Sequence, residues 1–212
     1  MKFGVYLQMD TNKIRKKLEK NKAKASDNLL RSSVLLPIMD VKGESHLLFQ
    51  VRSHNLKNQP GEICFPGGKM EPGETHRQSA IRETMEELNI QKKNIEIIGD
   101  LKPMITVFNM IIYPYCAILH DINFHDINYN REEVESIFTV PLSSLKKQNP
   151  LAHKLKVHTT PKDNFPYHLI QQGKDYNWGL RDYYIYFYTY KEYVIWGITA
   201  RILKNFLDMI NS

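Results

Sequence analysis

The sequence predicts a mixed α/β (α+β) fold, with a mixed β-sheet sandwiched by helices in an α/β/α layering. Three observations point there. Apolar runs of strand length, such as SVLLPIM (Ser33–Met39), alternate with helical patterns such as Ile81–Met85–Leu88. Two neighbouring strand-like runs, SVLLPIM and HLLFQVR (His46–Arg52), are joined by a short turn at Val41–Glu44, the mark of a hairpin. The chain closes on an amphipathic helix, GITARILKNFLDMI (Gly197–Ile210), with Ile198, Ile202, Phe206 and Met209 on one side. Helices joined to both hairpins and crossovers call for layers on a mixed sheet.

The elements follow in order. Residues 1–28 form a basic helical extension. Between Lys13 and Lys24 the chain carries a local excess of six positive charges, equal to the +6 of all 212 residues. The remainder is therefore nearly neutral, and the basic balance is no sign of a nucleic-acid face. A solvated helix anchored by Ile14 and Leu18 is the favoured reading over a phosphate- or membrane-binding one. Residues 29–212 form the domain proper. After the first hairpin, residues 53–73 are loop-rich and contain the run QPGEICFPGGKMEPG. Glu74 to Leu88 is helical by pattern, with Ile81, Met85 and Leu88 as its core stripe and Asn89 at the left-handed C-cap. IEIIG (Ile95–Gly99) and MIIYPYCAIL (Met110–Leu119) are further strands, Pro114 marking a bulge or an edge. EEVESIFTVPLSSL (Glu132–Leu145) is a short helical or bent segment. Residues 146–177 are a polar excursion, and the Tyr-rich run Asp182–Trp196 is strand-like.

Composition bounds the class. Hydrophobic content of 42% and charged content of 25% are those of a globular domain. Cys64 and Cys116 sit in apolar runs and read as buried thiols, neither disulfide-bonded nor zinc-binding. No stretch reaches membrane-spanning length, and the start is a poor signal peptide, so the cytoplasm is the default location.

The chemistry lies in RETMEEL (Arg82–Leu88). Glu83, Glu86 and Glu87 fall within about 100° of one helical face. Like charges so placed repel by a few tenths of a kcal/mol per pair. A bound cation would offset that repulsion, and hard divalent ions take oxygen ligands of this kind. The plain alternative is a surface helix with salt-bridging side chains, which the ordered glycine loop ahead of it disfavours.

Gly68, Glu74, Arg82-Glu83 and Glu86-Glu87, in the run GKMEPGETHRQSAIRETMEELNI, resemble the signature of the Nudix hydrolases, G-x5-E-x7-R-E-U-x-E-E-x-G-U with U aliphatic. Every charged position matches. Thr84 replaces an aliphatic residue and Asn89 the final glycine. The resemblance implies metal-dependent cleavage of a nucleoside diphosphate linked to another moiety, with Mg2+ or Mn2+ as cofactor. It implies Glu83, Glu86 and Glu87, with Gly68, as the metal site. Glu83 is the first choice of general base and Glu133 a distant second; Arg82 braces a glutamate or a loop carbonyl. Glu74 is either part of the site or a helix-start carboxylate. The glycines Gly67 and Gly68 let backbone approach metal or phosphates.

The preceding residues, LFQVRSHNLKNQPGEICFPGG, resemble the coenzyme A pyrophosphatase branch, roughly L-L-T-x-R-S-x3-R-x3-G-x3-F-P-G-G. Arg52, Ser53, Gly61 and Phe65–Gly68 match. Lys57 stands for an arginine and Gln50 for a threonine. This implies coenzyme A or acyl-CoA as substrate, with Arg52 and Lys57 meeting its phosphates, and no nucleic-acid or membrane partner; a homodimer is compatible. Arg52 could equally brace its own loop. The rivals are another Nudix pyrophosphatase, acting on ADP-ribose, NADH or a dinucleoside polyphosphate, and a Nudix-fold sensor that binds nucleotide without cleaving it.

Overall fold

Strand β1 (Leu30–Val41) has apolar side chains on both faces, and the layering follows from that. Val34, Leu36 and Ile38 point into one core, whereas Leu35 points into another on the opposite side. A strand buried on both faces needs a layer on each. The computed structural model describes residues 29–179 and 181–211. The expected basic helix at residues 1–28 lies outside the described residues.

The larger sheet has eight strands among the described residues. Its main path runs β3 (Ile63–Cys64), β2 (Glu44–Arg52), β1, β7 (Met110–Leu119) and β5 (Ile95–Asp100). Off that path β4 (Gly67–Lys69) pairs with β1, β6 (Met104–Ile105) with β7, and β8 (Val134–Pro141) with β2. The β1–β7 pairing is parallel and the others in this sheet are antiparallel, so the sheet is mixed as expected. A second sheet of three strands, β11 (Tyr193–Trp196), β10 (Arg181–Tyr190) and β9 (Leu151–Val157), leads into the last helix.

Helix α1 (His76–Leu88) covers one face of the large sheet, where Ala80 packs with Leu35, Tyr115 and Ala117. Helix α3 (Gly197–Asn211) covers the other. Its Ile202, Leu203, Phe206 and Leu207 join Leu36, Leu47 and Phe49 in the main core. Phe49 stacks on Phe65 and Phe138 at centroid separations of 4.8 and 5.4 Å. The short α2 (Leu142–Lys146) follows β8 and buries Leu145. No helix among the described residues is long and apolar enough to cross a membrane.

Several expectations are corrected. Helix α1 begins at His76, not Glu74: Thr75 is the N-cap and forms a capping box with Gln78. Its inward face is Ser79, Ala80, Thr84, Glu87 and Leu88, so Leu88 is core but Ile81 and Met85 are only half-buried. Those two line an open hollow of about 520 Å3 together with Gly73, Glu74, Arg82 and Glu86. Residues 132–145 hold a full strand, β8, before the short helix. Val134, Phe138 and Val140 are buried on its inward face, at the period of two that a strand imposes. Pro114 is at neither an edge nor a bulge in its own strand. It sits inside β7 between two antiparallel partners, where β5 ends opposite Tyr115 and β6 begins opposite Ile112. A missing N–H costs least at such a break. The polar excursion contains β9, whose residues are almost all exposed. In α3, Met209 is exposed and Leu203 and Leu207 are buried instead.

Asn89 holds the left-handed C-cap expected of it, at φ 50° and ψ 44°. Its side-chain amide donates to the Asn128 carbonyl at 2.6 Å. Asn89→Ala should therefore cost about 1–2 kcal/mol in denaturant titration, whereas Asn89→Gly, which loses only the amide contact, should cost less. Equal losses would mean that the backbone conformation contributes little.

Candidate active site

The glycine loop and helix α1 meet because two residues lack a side chain. Gly67 has φ 149°, and a Cβ there would strike the Ser33 carbonyl oxygen across the β1–β4 pairing. A Cβ on Gly68 would collide with the Glu83 carboxyl group. These two positions form a cradle that admits the glutamates of α1 against the backbone.

Glu87 is the carboxylate most deeply set, at 2% exposure. It accepts a hydrogen bond from the Gly67 N–H at 2.8 Å. Burial pushes its carboxyl up to about 8, and the Gly67 N–H and the nearby Gln50 amide only partly oppose that. Glu83 is half-buried; desolvation raises its carboxyl too, against the attraction of Arg82. The charges of Glu86 and Glu133 add to the rise. Glu86 is outermost, its side chain 54% exposed.

Arg82 ties this group together. Its Nε donates to Glu74 Oε1 at 2.7 Å and its Nη2 to Glu74 Oε2 at 3.2 Å, a bidentate pair. Nη2 also donates to the Lys69 carbonyl at 3.1 Å. Nη1 lies 3.0 Å from both Glu83 Oε1 and Glu86 Oε2. The guanidinium is held still more firmly protonated by Glu74, and the Glu74 carboxyl is lowered in return. Arg82 thus does what the sequence anticipates, bracing glutamates and a loop carbonyl at once. Thr84, at the aliphatic position, is fully buried and bonds back to the Ala80 carbonyl at 2.7 Å.

The remaining candidates lie nearby or on the adjoining loop. Glu133 is exposed ahead of β8, and its charge reaches both Glu83 and Glu87. Its carbonyl accepts from the Ser53 N–H at 2.9 Å, which fastens the loop after β2 to the same end of the sheet. Arg52 is half-buried at a register shift between Val51 and itself, and its charge lowers the Cys64 thiol. Lys57 is exposed on the loop and is not drawn into the carboxylate group. Cys64, expected to be fully buried, is half-buried; desolvation still raises its thiol to about 11, so it is inert. Sequence reading missed Gln50 and Ser33, both fully buried and polar on the α1 side of the sheet. The signal for Gln50 was one amide within the otherwise apolar run of β2.

Among the described residues, no three His, Cys, Asp or Glu side chains already converge as a ready metal cluster. The donor set nonetheless suits a hard cation: the carboxylates of Glu83 and Glu87 meet a loop that glycine keeps open, with Glu86 exposed beside them.

Comparison with known proteins agrees in one direction. The family model described as "NUDIX domain" matches residues 29–161. Nudix hydrolase 3 of Caenorhabditis elegans is 30% identical over 193 residues, spanning 88% of this chain and 75% of the relative. The peroxisomal coenzyme A diphosphatase NUDT7 of Mus musculus is 31% identical over 177 residues, spanning 80% of this chain and 66% of the relative. The Nudix hydrolase NudL of Photorhabdus laumondii, itself uncharacterised, is 30% identical over 87% of both chains. Among solved structures, a C. elegans Ap4A hydrolase binary complex superposes at a TM-score of 0.46 with 25% identity, covering 53% of this chain and 80% of that one.

The raised Glu87 carboxyl has a consequence for stability. Its pKa in the fold, about 8, lies well above the ordinary carboxylate value of 4.5, so between those values the folded state holds the extra proton. Stability of the metal-free protein should therefore fall as pH rises through that window, by at most about 1.4 kcal/mol per unit from this group. Glu87→Gln, neutral throughout, should flatten the decline in melting temperature between about pH 5 and pH 8. An unchanged slope would place the titrating proton elsewhere.

Proposed function

The chain belongs to the Nudix family, and from that premise we propose that it hydrolyses the pyrophosphate bond of coenzyme A or acyl-CoA. The products would be 3′,5′-ADP and 4′-phosphopantetheine or its acylated form. That it is a Nudix hydrolase follows from the family. The substrate rests on one observation above all: the Arg52–Gly68 loop, with the coenzyme A pattern at Arg52, Ser53, Gly61 and Phe65–Gly68, is fastened to the carboxylate end of the sheet through the Ser53–Glu133 hydrogen bond. The likeness to a mouse protein named as a coenzyme A diphosphatase supports it.

In this reading Glu83, Glu86 and Glu87 would hold Mg2+ or Mn2+, together with the Gly68 backbone. When bound, the cation would supply charge stabilisation at the phosphoryl oxygens and lower the pKa of the attacking water. Glu83 takes the proton from that water. The water oxygen bonds to one phosphorus while the bridging P–O bond breaks, and the bridging oxygen leaves on the other phosphate. Glu133, near Glu83 but exposed, is the lesser candidate for that proton. Arg82 and Glu74 hold Glu83 and Glu86 in place and touch no reacting atom. Arg52 and Lys57 face the anionic substrate from the loop.

The direct test is incubation with coenzyme A, ADP-ribose or NADH plus Mg2+, with products separated by chromatography. Cleavage of coenzyme A to 3′,5′-ADP and 4′-phosphopantetheine, well ahead of the others, is expected. Preference for ADP-ribose or NADH would overturn the substrate, and no cleavage of any would favour a sensor.

Glu86→Gln or Glu87→Gln should lower turnover by on the order of a hundredfold or more while the metal-free melting temperature does not fall. Near-normal activity in either would remove it from the metal site. Arg52→Ala and Lys57→Ala should weaken coenzyme A turnover by roughly ten- to a hundredfold in kcat/KM. Dephospho-coenzyme A should feel a smaller loss where the contact is to the 3′-phosphate and an equal one where it is to the pyrophosphate. No loss on either substrate would leave these residues shaping the loop alone.

A further inference from the structure

Four buried side-chain atoms among the described residues have no hydrogen-bond partner: Ser33 Oγ, Gln50 Oε1, Gln50 Nε2 and Arg52 Nε. Leaving such an atom unpaired costs roughly 1–3 kcal/mol, so folds hold few of them. Here they are not scattered. Gln50 and Arg52 lie on β2, and Gln50 is paired with Cys64 on β3. Ser33 is directly opposite Gly68, and opposed residues of antiparallel strands point to the same face. The absent Cβ of Gly68 points at Glu83, so Ser33 opens toward the same carboxylates. The orphaned atoms thus form a polar floor under the glutamates of α1.

Gln50 stands out within that floor. It is fully buried, and it lies on the face of β2 shared with Leu48, away from the core that holds Leu47 and Phe49. Both ends of its amide are unpaired, although the group lies close enough to the Glu87 carboxyl and the Cys64 thiol to ease the ionisation of each. A fully buried amide with both ends unpaired is suited to a state in which a neighbouring carboxylate is turned to hold a cation. Its terminal torsion is soft, so its N–H can turn to a neighbouring carboxylate without moving the strand.

We propose that Gln50 is a positioning residue for cation binding, donating its amide N–H to the Glu87 carboxylate and so fixing its orientation when a divalent ion is held. This rests on the reading of Glu87 as a metal ligand. The Gly67 N–H anchors the carboxylate from the loop and the Gln50 amide from the sheet. Partners of this kind orient ligands and tune affinity without touching the ion. The residue falls outside the family resemblance, since the coenzyme A pattern carries a threonine at this position. Threonine keeps a hydroxyl donor but on a much shorter arm.

The test is Mn2+ binding to the full chain without substrate, followed by the electron paramagnetic resonance of free Mn2+. Gln50→Met keeps the length and removes both amide atoms. It should raise the Mn2+ dissociation constant by about tenfold or more, while the metal-free melting temperature stays level or rises because two orphaned atoms are gone. An affinity within twofold of wild type overturns the proposal. So does a metal-free melting temperature that falls in step with the affinity, because Gln50 would then serve packing alone. Should Gln50→Met not fold, Gln50→Thr takes its place in the same titration; a smaller loss of affinity is expected, and unchanged affinity overturns the proposal. A wild-type chain that binds no Mn2+ removes Glu87 from the metal site and takes this inference with it.

Discussion

The hydrogen bond from the Gly67 N–H to the Glu87 carboxyl, 2.8 Å long, joins the loop to the helix and fixes where α1 sits on the sheet. A carboxyl at 2% exposure is costly to desolvate, and the fold accepts it only because a backbone donor meets it. Gly67 can present that donor because its φ of 149° and its tight approach to Ser33 exclude any side chain. Once Glu87 is inside, its helical neighbours are placed as well. Glu83 is set half-buried against Gly68, and Glu86 turns outward. The three glutamates are therefore graded in depth and are not equivalent teeth of a surface comb.

Arg82 solves the problem that this grading creates. Four carboxylates, Glu74 just ahead of α1 and Glu83, Glu86 and Glu87 along it, lie close together, and the guanidinium reaches three of them. Its planar fork grips Glu74 with two bonds and still leaves donors for the Lys69 carbonyl and for Glu86. A lysine, with one compact charge, could not span that arrangement. The loop before the helix is thus closed from both ends, by Gly67 on Glu87 and by Arg82 on Glu74 and Lys69.

Much of this was legible in the sequence. Local helical geometry fixes that Glu83, Glu86 and Glu87 share a face of α1, whereas Gly68 and Glu74 became candidates through the resemblance to the Nudix signature. Asn89 as C-cap and the mixed, layered sheet were likewise readable from local rules. The depth of each glutamate was not. Ile81 and Met85 looked like core because they are apolar at helical spacing, yet they line an open hollow, while polar Thr84 and Glu87 turn inward. Apolar spacing names a stripe; which stripe meets the sheet depends on what the loop contributes, and here two glycines make room for a carboxylate. Gln50 was read as a mere departure from a pattern, because its burial depends on partners distant in sequence, Cys64 on β3 and Ile137 on β8. Residues 132–145 were misread for a related reason: their apolar alternation is broken by Ser136 at an inward position, and β8 becomes a strand through its pairing with β2.

The account turns on whether these graded carboxylates hold a divalent ion against the glycine loop. Anomalous scattering from a Mn2+-soaked crystal asks this directly. A peak bounded by Glu83, Glu86, Glu87 and the Gly68 backbone is expected, with Glu87 still bonded to the Gly67 N–H. A peak elsewhere on the molecule, or a site that stays empty while Arg82 keeps its grip on Glu83 and Glu86, would contradict it.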